Sequence, residues 1–196
     1  MRSGLLAIGA VIAVSTITLA AQQAPLKVAS AKVTITGTTN VHGYTVTTST
    51  VRLVNAKLAS FDGDVWTLAQ KPALVEAFEI AIPAASLKSE KDGLDKNMYK
   101  ALKTDKFADI TFRTKSIEKT ASGVRAAGTL TIAGVAKDVT IDFTARRAGS
   151  SVALAGELPL LMTDYGVVPP KAMMGMMRTD PKVVIRLELT LAAPVS

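Results

Sequence analysis

The chain has 196 residues, 23 Lys or Arg against 16 Asp or Glu, and no cysteine. Disulfide scaffolds and thiolate metal sites are therefore excluded, and stability has to come from a packed core. The net charge of +7 arises from dispersed basic residues with no nucleic-acid recognition motif, so no nucleic-acid partner is expected.

The first segment reads as a secretory leader. Arg2 supplies a minimal positive start, residues 5–19 an apolar core, and Thr18, Ala20 and Ala21 small side chains for cleavage. Residues 1–21 are accordingly expected to be removed, leaving 22–196 as one domain in the periplasm or outside the cell. About 175 residues suffice for a single well-buried core. No second apolar run approaches the ~20 residues that span a bilayer as a helix.

After the leader the dominant period is two, as in half-buried antiparallel strands. Val33 and Ile35 alternate with Lys32, Thr34 and Thr36. A turn over residues 40–43 and another at Asp62, Gly63 and Asp64 follow, the latter just ahead of the single tryptophan, Trp66. Phe78, Ile80 and Ile82 form one face of the next strand, which ends at Pro83. A polar loop over residues 86–93 then leads into a short helix over 94–102. There Leu94, Met98, Tyr99 and Leu102 make one apolar stripe, a candidate lid for the end or flank of a sheet.

Ile110 and Phe112 open the second half. Turn signals at Ser122-Gly123, Ala133-Gly134 and Ala148-Gly149 separate strands bearing Leu130 and Ile132, then Val139, Ile141 and Phe143, then Leu154, Leu158 and Leu160. Gly128 and Gly156 fall on the inward parity, where they could open space. The last strand sets Val183, Ile185, Leu187, Leu189 and Leu191 on one face. Meander pairing of about eight strands would close a barrel, and a β-sandwich would show the same alternation. An eight-stranded barrel is either filled by side chains or holds one elongated ligand.

Residues suited to catalysis are sparse. The one histidine, His42, lies in a turn without metal-ligand or triad context, and reads as a turn residue. Neither a cofactor, a resident metal nor an enzyme activity is expected. Met173, Met174, Met176 and Met177 concentrate four thioethers after Pro169-Pro170; they suit a packed plug, contact with an oily chain, or a Cu(I) site. Lys88, Lys91, Lys96, Lys100, Lys103 and Lys106 form either a solvated face or a contact for anionic head groups.

Several segments together carry a family resemblance: GTTNVHGY (37–44), SLKS (86–89), GLDKNMYKALKTDKFADITF (93–112), GTLTIAGVAKDVTI (128–141), and MTDYGVVPPKAMMGMMRTDPKVVIRLELTL (162–191). They resemble the YceI-like family, with Tyr44 standing where that family often has Trp. The resemblance implies an exported, all-β protein: a single antiparallel, eight-stranded, lipocalin-like barrel with one short amphipathic helix, holding an isoprenoid or other lipid chain. It favours the barrel over the sandwich.

On strand parity the candidate lumen residues are Phe78, Ile80, Ile82, Ile110, Phe112, Leu130, Ile132, Ile141, Phe143, Leu158 and Leu160. The candidate mouth or lid residues are Leu94, Met98, Tyr99, Leu102, Tyr165, Met173, Met174, Met176 and Met177. The expected partner is an apolar, lipid-like ligand. A transient membrane-surface contact and a homodimer are both compatible with the sequence. The rival readings are a filled structural barrel and a Met-rich Cu(I) module.

Overall fold

The computed structural model describes residues 25–194, apart from 62 and 173–175. The expected leader, Asp62, Met173 and Met174 thus lie outside the described residues. Strands β1 (Lys27–Thr39), β2 (Gly43–Thr48) and β3 (Arg52–Leu58) are followed by a short helix, α1 (Trp66–Gln70), and by β4 (Val75–Pro83). Helix α2 (Asp92–Leu102) precedes β5 (Asp109–Lys119), β6 (Gly123–Ile132), β7 (Val135–Ala148) and β8 (Ser151–Leu161). The two-residue β9 (Lys171–Ala172) and the long β10 (Met177–Ala192) complete the chain order.

All strand pairs are antiparallel, in the order β2-β1-β10-β8-β7-β6-β5-β4-β3, with β9 attached to β10. The all-β barrel class expected from the sequence therefore holds, with nine strands in the main path rather than eight. Hairpins β3 to β8 form a meander, and β10 returns to pair with β1 from Lys27↔Ala192 through Thr39↔Thr179. Irregular registers interrupt β1, β3 and β5, and such bulges add the bend and twist that curl a sheet.

Full closure without edges is not what forms. The path ends on β2 and β3, which are joined by residues 49–51 but are not a paired couple. The free side of β2 is instead covered by the loop before α2, where Thr47 and Lys88 exchange two backbone hydrogen bonds of 2.7 and 2.8 Å. Thr48 adds a 2.8 Å hydroxyl contact with Ser86. β2 is only six residues long, so a loop can shield its unpaired groups where a full strand would be longer than the edge itself.

Two α-helices are present rather than one. α1 follows from local polar contacts: Asp64 Oδ1 accepts from the Trp66 amide at 3.1 Å, and the Val65 amide donates to Ser150 O at 3.2 Å. Arg147 Nη2 reaches Asp64 Oδ2 at 2.8 Å. These bonds tie the segment to the β7–β8 turn and bury Val65, Leu68 and Ala69 against the barrel end. Trp66 itself is half-buried.

Candidate functional site

Inside the curled sheet lie three consecutive apolar cavities. The one beneath α1, of about 80 Å³, is walled by residues such as Leu26, Val65, Leu68, Phe78, Phe112, Phe143 and Leu189. The middle one, of about 60 Å³, shares Ile80, Phe112 and Leu187 with it. The third, of about 100 Å³, lies beneath α2 and shares Ile35, Leu87, Ile110 and Ile185 with the middle one. The shared walls set the three cavities in a row from α1 to α2, an oily track interrupted by the side chains they share. No Asp, Glu, Lys, Arg or His contributes to its walls.

The parity-derived positions fall along this track. Phe78 and Phe143 face the α1 end; Ile80 and Phe112 bridge it to the middle; Ile82, Leu130, Ile141 and Leu158 line the middle. Ile110 bridges to the α2 end, where Ile132 and Leu160 also lie. Strand alternation is sufficient to bring residues from five strands onto one inner surface because their registers are fixed, by short hairpins from β5 to β8 and by the ladder Glu79↔Arg113 through Pro83↔Asp109 between β4 and β5. The Ala133-Gly134 turn is an example: both residues have positive φ, 49° and 81°, and Ile132 pairs with Val135 across a two-residue loop.

The two inward glycines do not widen the lumen. A Cβ on Gly156 would come 2.7 Å from the Phe143 ring, and one on Gly128 would come 2.8 Å from the ring of Phe112. The phenyl groups of neighbouring strands already occupy the room these glycines leave.

At the mouth, α2 presents Leu94, Met98, Ala101 and Leu102 to the cavity. Tyr99, placed on the same stripe by helical phase, points aside. Its hydroxyl donates to the Leu87 carbonyl at 2.6 Å, and Lys88 Nζ sits 5.2 Å from its ring centre. Tyr99 therefore fastens the lid and does not line the cavity. Tyr165 does face the cavity, buried on the 3₁₀ turn Met162–Tyr165, which ends at Gly166 with φ 66°. Met176 is exposed, and Met177 stands in β10 opposite Ala172, outside the cavity walls.

The root of α2 is polar. Asp95 is buried, and its Oδ1 accepts from both the amide and the hydroxyl of Ser89, each at 2.8 Å. Lys88 Nζ lies 3.6 Å from Oδ2. Burial by itself would raise the Asp95 carboxyl; the Ser89 hydrogen bonds and the Lys88 charge outweigh it and hold the group below the ordinary aspartate range. Tyr44 and Tyr165 are both pushed up, by burial first and then by Asp180 and Asp164 respectively. With Thr179 they bring hydroxyl groups to an otherwise oily cavity wall.

Leu26, Val65, Leu68, Tyr44, Val46, Leu87, Val167 and Thr179 also line the track, and strand parity alone did not single them out. Tyr44 stacks across β1 over Gly37, whose Cβ would meet the tyrosine hydroxyl at 2.3 Å. The small residue opposite an aromatic was the available signal for it.

His42 is exposed in the β1–β2 turn, with Nδ1 2.8 Å from Gly43 O. Among the described residues no group of three or more His, Cys, Asp or Glu side chains could hold a metal ion, and no helix is long and apolar enough to cross a membrane.

The backbone is similar to that of the Burkholderia cenocepacia protein BcnA, with 19% identity, a TM-score of 0.63, and coverage of 82% of this chain and 95% of that one. A polyisoprenoid-binding domain from Saccharophagus degradans, implicated in plant cell wall breakdown, is 12% identical with a TM-score of 0.63, covering 88% and 100%. The Campylobacter jejuni YceI protein is 20% identical with a TM-score of 0.52, covering 75% and 85%. No curated relative matches the sequence. The family model of the YceI-like domain matches residues 26–191, nearly the whole of the curled sheet and both of its helices, and this chain belongs to the YceI-like family.

Proposed function

We propose that this protein binds a long apolar chain, of isoprenoid or fatty-acyl type, in the track between α1 and α2, and carries it through water after export. The observation that supports it best is the row of three cavities, joined by common lining residues, whose walls contain no charged side chain. Each methylene moved from water into such a lumen is worth about 0.8 kcal/mol, so a chain of a dozen carbons binds without any specific contact. The similar S. degradans domain is a polyisoprenoid binder, which agrees with this reading. The leader-like residues 1–21 support export to the periplasm or beyond. The protein acts as a carrier, its track lined by apolar side chains with a few hydroxyl groups at the α2 end.

Native mass spectrometry of the purified protein, followed by organic extraction, tests the binding. The expected result is a released lipid-like mass. A ligand-free protein that also takes up no added isoprenoid alcohol would replace the carrier by a filled structural barrel.

A further inference from the structure

The three most exposed large apolar side chains among the described residues are Val41, Val168 and Met176, at 66%, 74% and 68% exposure. All three sit on loops at the α2 end. Val41 belongs to the β1–β2 turn, which Asn40 ties to the β9–β10 hairpin through Nδ2 to Met176 O at 2.9 Å and its amide to Arg178 O at 3.1 Å. Val168 follows Val167, which is itself part of the cavity wall.

The lid beside them is basic. Lys96 and Lys100 on α2, then Lys103 and Lys106 in the turn after it, are exposed, and Asp105 is the one acid within residues 96–106. None of these four lysines meets a carboxylate among the described residues. On the barrel wall several charges are matched across strands, as in Arg125–Asp142 at 2.6 Å and Lys115–Asp138 at 2.7 Å, whereas the lid lysines form a cluster with no such pair. The lysine turn reaches the Val168 loop through the β6–β7 turn: Phe107 packs over Gly134, and Gly166 lies beside Val135. Apolar tips and unmatched lysines therefore border the same end. The opposite end is plugged by α1, where Val65 is fully buried.

A water-facing surface has no use for three oily tips, and a purely apolar partner has no use for four lysines; a bilayer with anionic head groups matches both. We propose that the α2 end docks on an anionic lipid bilayer, with Val41, Val168 and Met176 entering the head-group layer and the four lysines resting on lipid phosphates. This rests on the lumen reading, because it places the mouth of the track against the phase that supplies or receives the chain.

The test is flotation of the full chain with vesicles of phosphatidylcholine alone or with three parts in ten phosphatidylglycerol. A retained apolar leader would add equally to both, so the readout is the ratio of the two partition coefficients. At about fivefold per lysine the ratio is expected to reach several hundred, and Lys96→Gln with Lys100→Gln and Lys103→Gln to lower it by roughly 10²-fold. Val41→Ser with Val168→Ser and Met176→Ser should reduce binding to both vesicle types, while Lys32→Gln with Lys71→Gln, both exposed and away from the α2 end, should leave the ratio unchanged. These are exposed positions, so unfolding midpoints should move by roughly a degree or two. A ratio near one, or a triple lysine variant that floats like its parent, overturns the docking. Protein that yields extractable lipid yet ignores vesicles overturns the docking alone, whereas protein that neither holds lipid nor takes up added isoprenoid alcohol overturns the lumen reading as well.

Discussion

Phenyl rings over glycines set the bore of this barrel. Phe143 pairs directly across β7 and β8 with Gly156, and its ring fills the place of the missing side chain. Gly156→Ala should therefore cost about 1–3 kcal/mol by overpacking, read as a lower denaturant midpoint with an unchanged slope. Combining it with Phe143→Leu should recover part of that loss, because the clash is with the ring. Equal losses in the two backgrounds would show that the backbone oxygen of Asp142, 2.9 Å from the same Cβ position, is the obstacle instead.

Asp95 carries a different kind of residue-scale consequence. Its folded pKa lies below the ordinary value, so its stabilising effect is fully present above about pH 4 and is lost as pH falls through the folded value. Asp95→Ala strands two donors of Ser89 and should cost about 2 kcal/mol at neutral pH. Thermal melts of the parent and variant are expected to differ most at pH 7 and to draw together as pH falls below about 4. A difference that acid leaves undiminished would assign the loss to packing and not to the carboxylate.

At the scale of elements, α2 behaves as a cover fastened at its first turns. Leu87 is almost completely buried beneath it, Ser89 binds Asp95, and Tyr99 donates to the Leu87 carbonyl at 2.6 Å. Removing that donor with Tyr99→Phe should cost about 1 kcal/mol. Hydrogen exchange should quicken in residues 87–102 while the strand amides keep their protection, because the bond holds a lid and no ladder. Uniformly faster exchange would mean that α2 unfolds only with the whole barrel.

The strands, their inward faces and α2 were legible in the sequence because periods of 2 and 3.6 survive wherever one face is oily and the other wet. Val183, Ile185, Leu187, Leu189 and Leu191 form such a run, and Leu94, Met98 and Leu102 such a stripe. Helix α1 was not legible, since five residues are too few to display a period and its position depends on Asp64 meeting Arg147 from 83 residues away. The seam between β2 and β3 was hidden for a related reason: neighbours in sequence usually pair, and only the Thr47–Lys88 bridge reveals that a loop has taken the edge. Helical phase put Tyr99 on the lid without showing how it acts there, because a tyrosine can satisfy a stripe with its ring and still turn its hydroxyl to a carbonyl beside it.

For the whole molecule, the serial arrangement of the cavities makes ligand length a structural variable. A chain entering beneath α2 meets the middle cavity at Ile110 and Leu158 before it can reach Phe143 and the α1 plug. Leu158→Trp keeps that wall apolar while adding bulk at the midpoint, at a cost of about 1–3 kcal/mol from overpacking. The variant should then retain short-chain alcohols held under α2 and reject long ones, because each methylene denied entry forfeits about 0.8 kcal/mol. Loading parent and variant with an equimolar series of isoprenoid alcohols from two to eight units, then weighing the complexes by native mass spectrometry, gives the length cut-off directly. A shift of the cut-off to shorter chains is expected, with the sheet spectrum intact. Loss of all lengths together would place the entry at the midpoint, through the β2–β3 seam and not beneath α2.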